Sequence, residues 1–212
     1  MRSRYATPPN PRLQRTRMRS PLSHQPLGRV AVLLKCVGLL LILLLAGVHA
    51  FAQSIDLPQP PKGFHWERAT EIKGAFLTPD GWFFKRETKQ NTYAYFVTRE
   101  NIAQTGAFRV GLTVNVMPHL KGKNAVEYAK QFMAAYPHGK KLLKSWDASM
   151  ASFVGNGCLV EDKETTMHTI MVANPKTNTL YLFIFEAPTT EWPEAWRSGQ
   201  EIIRLLLIDD EI

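Results

Sequence analysis

The sequence predicts an α+β domain, a mostly antiparallel β-sheet with helices packed on it. Three observations carry this. Residues 64–116 hold a series of short runs rich in β-branched and aromatic residues, separated by turn signals. One well-capped helical pattern follows at 124–136. A second set of strand-like runs at 141–186 is closed by an amphipathic, tryptophan-bearing helical pattern that begins near Thr190.

The elements follow in order. Residues 53–63 carry Pro58, Pro60 and Pro61 and read as an extended linker. FHWERAT at 64–70 alternates as a first strand, and GAFLT at 74–78 is a second apolar run. Pro79-Asp80-Gly81 stops it, because proline presets φ and glycine accepts a positive φ. Strands are expected at 82–85 and 91–98, with a loop over 100–106. Phe108, Val110, Leu112, Val114 and Val116 then alternate strictly with Arg109, Gly111, Thr113 and Asn115, the clearest period-2 strand in the chain.

The helix at 124–136 opens on Asn124, with Glu127 three residues on in a capping-box-like pattern. Ala125, Ala129, Phe132, Met133 and Tyr136 share one face, and Pro137 and Gly139 end it. Phe132 is read as core, so Phe132→Ala is expected to cost about 3–5 kcal/mol. Residues 141–150 read as a strand on Leu142, Leu143 and Trp146. The strand at 153–160 contains Gly155-Asn156-Gly157, a sign of a bulge or a close backbone approach. Strands at 165–172 and 179–186 flank an Asn-Pro-Lys-Thr-Asn turn at 174–178 and are apolar on both faces, so this hairpin should be central and covered twice. The closing helix tolerates Pro193 in its first turn and shows Trp192, Trp196, Ile203 and Leu207 on one side. Asp209-Asp210-Glu211 then falls at its negative pole.

Residues 1–52 are of another kind. Residues 1–20 hold six arginines and no acidic residue, a composition that cannot bury enough to order itself. No Arg-Arg pair supports a twin-arginine signal, and Met18 offers a second start. From 37 to 52 no lysine, arginine, aspartate or glutamate occurs, and 39–45 is an unbroken leucine and isoleucine block. Arg29 and Lys35 supply a positive flank and Ala50-Phe51-Ala52 a small-residue site, the anatomy of an export signal cleaved after Ala52. Cleavage after Ala50 is the near alternative. An uncleaved anchor, which needs about 20 apolar residues, is the other, and only that form would meet a membrane. The expected organisation is leader at 1–52, linker at 53–63 and one α+β domain at 64–212.

Charge follows the same division. Eight of the 26 lysines and arginines lie in 1–52, and none of the 18 acidic residues does. The remaining 18 basic and 18 acidic residues balance, so the basic excess belongs to the leader and gives no reason to expect a nucleic-acid partner. Cys36 precedes the apolar block, which leaves Cys158 without an intramolecular partner after cleavage. It reads as a small buried apolar residue.

Motifs for catalysis are missing. His65, His119, His138 and His168 show neither i, i+4 nor H-x-H spacing, so no metal site is assigned. Glu161, Asp162 and Glu164 read as a charged turn. Gly-x-Ser-x-Gly, Walker A and Gly-x-Gly-x-x-Gly patterns are absent, and no cofactor is assigned. Trp82, Trp146, Trp192 and Trp196 read as core aromatics, with a ligand groove as the alternative.

The run Phe76-Leu77-Thr78-Pro79-Asp80-Gly81-Trp82, the A-x-x-Y-A-x-x-F helix from Ala125 to Phe132, the Gly-Asn-Gly strand, the aromatic hairpin and the tryptophan-bearing last helix together resemble the PsbP-like (PsbP/Mog) family over about 64–208. The resemblance implies an α/β/α sandwich on an antiparallel sheet. It also implies company among mostly non-enzymatic proteins: photosystem lumenal subunits, Ran-binding proteins and exported bacterial proteins. No residue set here carries over the photosystem or Ran functions. The expectation is an exported binding or assembly module of the periplasm or cell envelope, with a protein or small-molecule partner. Its site would lie on loops at strand ends: Pro79, Asp80 and Gly81, residues 100–106, and Gly155, Asn156 and Gly157. A small hydrolase or metal enzyme, with His119 or His168 brought to carboxylates or Cys158 in the tertiary fold, is the alternative.

Overall fold

The computed structural model describes residues 57–209, 211 and 212. The expected leader, its expected cleavage site and the start of the expected linker lie outside the described residues. Among the described residues nine strands and three α-helices follow in the order β1 (Phe64–Ala69), β2 (Gly74–Pro79), β3 (Phe83–Lys89), β4 (Thr92–Thr98), α1 (Ile102–Thr105), β5 (Gly111–Met117), α2 (Ala125–Ala135), β6 (Lys141–Asp147), β7 (Val154–Asp162), β8 (Thr165–Asn174), β9 (Thr179–Pro188) and α3 (Trp192–Arg204), with a 3-10 turn at Thr70–Ile72 between β1 and β2. The α+β class and the mostly antiparallel sheet are as expected. β1 and β2 form a hairpin, and the other strands form one sheet in the order β3-β4-β5-β9-β8-β7-β6. Every pair is antiparallel.

The chain builds one half of this sheet outward in, crosses on α2 to the far edge, and returns strand by strand until β9 closes against β5. Thus the most apolar hairpin, β8–β9, takes the middle. On one face α2 packs over β7, β8 and β9. Ala125, Ala129 and Met133 are buried there against Cys158, Val160, Met171, Ala173 and Leu180. Small residues at i and i+4 let the helix sit close to the sheet. Asn124 caps it, its side chain accepting the Glu127 N–H at 3.0 Å. Asn178 reaches over from the β8–β9 turn, accepting the Ala125 N–H at 2.8 Å and donating to the Leu120 and Lys123 carbonyls.

Phe132 departs from expectation. It is only half-buried and stacks on Tyr136 at 5.4 Å, at the margin of the helix face. Phe132→Ala should therefore cost about 1–2 kcal/mol, in the ordinary range for a partly buried position, rather than the core value. A urea midpoint shift as large as that of a fully buried aromatic would contradict this placement.

The other face carries the larger core. Phe76 of β2, Tyr95, Leu112, Tyr181, Phe183 and Phe185 from the sheet, and Ile202 of α3 are all buried in it. Here the β1–β2 hairpin and α3 form the second layer. α3 ends at Arg204, not at Leu207. The chain then turns and pairs onto β2, with the Leu207 and Ala75 N–H groups exchanging hydrogen bonds at 3.2 and 3.0 Å. This removes the acidic tail from the helix pole: Asp209 instead lies 3.6 Å from Lys73. Residues 100–106 are not wholly loop either, since α1 forms one turn capped by Asn101. Among the described residues no helix is long and apolar enough to cross a membrane.

Candidate functional site

Antiparallel register sets Lys144, Leu159, His168 and Phe185 side by side across β6, β7, β8 and β9, on the sheet face that α3 covers. The neighbouring row on the same face is Trp146, Gly157, Ile170 and Phe183. α3 presents Trp192 and Trp196, one helical turn apart, whose rings stack at 5.1 Å and 11°. Phe185 meets both edge-on, at 5.8 and 5.6 Å. The His168 imidazole fills the space between Trp196, at 4.4 Å, and Trp146, at 4.7 Å. The result is one continuous stack: Trp146, His168, Trp196, Trp192.

Glycine makes this geometry possible. A Cβ at Gly157 would run into the Trp146 indole, so the bare backbone is what lets the ring lie flat over β7 toward His168. β6 is the sheet edge, defended by lysines and by a bulge between Leu142 and Lys144. Beside the stack, Lys144, Trp146, Leu159, His168, Trp192 and Trp196 line a half-open hollow of about 340 Å³.

The electrostatics of the hollow are one-sided. Burial pushes the His168 pKa down to about 4, and Lys144 adds to the shift, so the ring is neutral at pH 7. The indole N–H groups of Trp146, Trp192 and Trp196 make no hydrogen bond among the described residues, and none is fully buried. Trp66, by contrast, donates to the Pro58 carbonyl at 2.7 Å. Among the described residues Lys144 has no carboxylate within ion-pair distance, whereas Lys141 on the same strand holds Glu161 at 2.8 Å.

Trp146, Trp192 and Trp196 of the groove alternative, and His168, line the hollow, whereas the loop residues singled out in the sequence fall elsewhere. Pro79, Asp80 and Gly81 form the turn from β2 to β3, closed by the Trp82 N–H donating to the Pro79 carbonyl at 3.0 Å. Residues 100–106 stand at the same end of the sheet, since Phe83 pairs with Thr98. That segment is tied down: the Glu100 carboxylate accepts the Arg109 and Val110 N–H groups, and Arg99 and Arg109 both grip Glu191 at the start of α3, at 2.7 and 2.9 Å. Burial works against the charged form of Glu100, yet these N–H groups hold its pKa below the usual carboxylate range.

Gly155, Asn156 and Gly157 are not on a loop. They lie inside β7, on the far side of the sheet, and their glycines are taken up by packing. The structure thus brings the first two segments together and leaves the third apart. None of the three lines the hollow, although Gly157 lies beneath the Trp146 ring.

His119 is exposed, its Nδ1 3.1 Å from the Thr177 carbonyl. Among the described residues no three His, Cys, Asp or Glu side chains are placed to hold a metal ion. Cys158 pairs with Thr169 and Leu159 with His168, so the thiol and the imidazole face opposite sides of the sheet. Burial pushes the thiol pKa up. Trp82 packs against the main core, away from the hollow.

By architecture the domain is a seven-stranded antiparallel sheet between a helix and a hairpin-plus-helix layer. No family model and no curated protein matches the sequence. Among solved structures, the chain is similar to the cyanobacterial PsbP of Synechocystis sp. PCC 6803, with 13% identity, 69% of this chain and 93% of that chain covered, and a TM-score of 0.44. It is also similar to the Ran-binding protein Mog1p of Saccharomyces cerevisiae, with 12% identity, 68% and 95% covered, and a TM-score of 0.43. Both are likenesses of fold, of the PsbP/Mog kind.

Proposed function

We propose that this domain is a non-catalytic binding module, exported to the periplasm or cell envelope, that takes its ligand in the hollow between β6 and α3. The observation that carries this reading is the composition of the hollow. Its side chains are three indoles, one neutral imidazole, one leucine and one lysine. Such walls bind flat or apolar groups well, but they bring no carboxylate, thiol or hydroxyl to attack or to move protons. The turn at Pro79-Asp80-Gly81 and the segment at 100–106 are where a protein partner would be met. Export rests on the leader sequence alone.

Two experiments test this. Intact mass of the exported product is expected to show a chain beginning at Gln53, and recovery of a full-length, detergent-requiring protein would contradict export. A panel of ester, phosphoester and glycoside substrates, with and without divalent metal, is expected to show no turnover. Metal-dependent turnover abolished by His119→Ala or His168→Ala would overturn the non-enzymatic reading.

A further inference from the structure

We propose that the hollow selects a planar aromatic group bearing a carboxylate, such as an aryl or indolyl acid; this rests on the binding role given to the hollow above. Three features of the site lead to that class.

The walls come first. The Trp192 and Trp196 rings are nearly parallel, and Trp146 and His168 continue the same stack at tilts of 35° and 31° to their neighbours. Ring edges and faces lining a hollow of about 340 Å³ suit one flat group, since volumes of this order lie near the lower end for small-molecule sites, about 300–1,000 Å³.

The polar groups come second. Apart from the neutral His168 ring, whose Nδ1 is buried and without a hydrogen-bond partner among the described residues, the lining side chains bring donors only. These are the three indole N–H groups, which make no hydrogen bond among the described residues, and the Lys144 ammonium. A purely apolar ligand would cover those donors and leave them unpaired, which is costly. A ligand rich in acceptor oxygens satisfies them.

The charge comes third. A cluster of tryptophans is also the usual receptor for an organic cation, and that alternative has to be excluded. Lys144 excludes it. Lys144 lines the hollow with no carboxylate among the described residues to neutralise it, while the nearby Glu161 is held by Lys141 at 2.8 Å. A second cation entering there meets an uncompensated positive charge. A carboxylate meets its counter-ion and gains charge-assisted hydrogen bonds.

The test is calorimetric titration of the full-length chain at pH 7.5 with three probes of one shape: 2-naphthoate, the cation of 2-naphthylmethylamine, and neutral 2-methylnaphthalene. 2-Naphthoate is expected to bind at a single site, at least tenfold tighter than either of the others. Lys144→Met is expected to weaken 2-naphthoate at least tenfold. Lys140→Met, at a lysine that donates to the Tyr136 carbonyl and does not line the hollow, should leave it unchanged. Lys144 is exposed, so its variant should keep the wild-type melting temperature. The comparison of probes on the wild type needs no variant at all. Equal binding of the cation or the neutral probe, or an unchanged affinity in Lys144→Met, would overturn the carboxylate class while leaving the hollow a binding site. Failure of all three probes on the wild type would overturn both.

Discussion

Gly155→Ala is expected to destabilise the domain by about 3 kcal/mol, the upper end of what overpacking costs. A Cβ at this position would run into the Met171 carbonyl oxygen and the Val172 Cα of β8. Those are backbone atoms of the adjoining, central strand, so nothing can swing aside. The clash is relieved only by parting β7 from β8. Gly157→Ala differs in kind, because its Cβ would meet the Trp146 side chain on the edge strand, and that ring can move. Gly157→Ala should keep most of the stability and lose the stack. Urea midpoints of both variants check this. A wild-type midpoint for Gly155→Ala would contradict this close approach of β7 to β8.

The second large effect is acid destabilisation through His168. Its pKa in the folded protein lies near 4, below the 6.5 of the free side chain, because burial between two indoles disfavours the charged ring. The unfolded chain therefore binds the proton first. Above about pH 6.5 neither state is protonated at this site and nothing is lost. As pH falls toward 4 the unfolded state gains a proton that the folded state refuses, and stability declines; below about pH 4 the loss is complete. The full difference corresponds to about 3 kcal/mol, an upper bound because the ring is not wholly buried. The Glu100 carboxylate also titrates on the acid side, so the informative quantity is the difference between wild type and His168→Phe. That variant keeps a ring in the stack and cannot titrate. Wild type should lose up to about 3 kcal/mol more than His168→Phe between pH 7 and pH 4. Parallel pH profiles would show that His168 is solvated.

Much of the fold was legible because local signals agreed with it. The alternation at 108–116 became β5 from Gly111 onward, Asn124 capped α2, and the doubly apolar hairpin took the middle of the sheet. Misreadings arose where tertiary contacts overrode local pattern. Leu207 keeps helical phase with Ile203, yet backbone pairing with Ala75 draws the chain out of the helix. Phe132 has the right spacing for a core position, but small residues at 125 and 129 set the contact line and leave it at the margin.

The hollow was legible only as the groove alternative for Trp82, Trp146, Trp192 and Trp196, and Trp82 is not among its walls. Its side chains come from β6, β7, β8 and α3, and they converge only because the chain crosses on α2 to the far edge before returning inward. Nothing local places Trp146 beside His168. Two signals pointed that way in part. Trp192 and Trp196 at i, i+4 were bound to share a face, and the Gly-Asn-Gly strand announced a close approach without saying what approached.

The central claim is that this hollow is a binding site, and the indole N–H resonances test it most directly. The chain has five tryptophans, each giving one such signal in a ¹H–¹⁵N spectrum. Three line the hollow, while Trp66 is tied to Pro58 and Trp82 packs on the core. On titration with 2-naphthoate the signals of Trp146, Trp192 and Trp196 are predicted to shift together to saturation, with Trp66 and Trp82 unmoved. Equal small drifts of all five, or shifts confined to Trp66 and Trp82, would contradict the account.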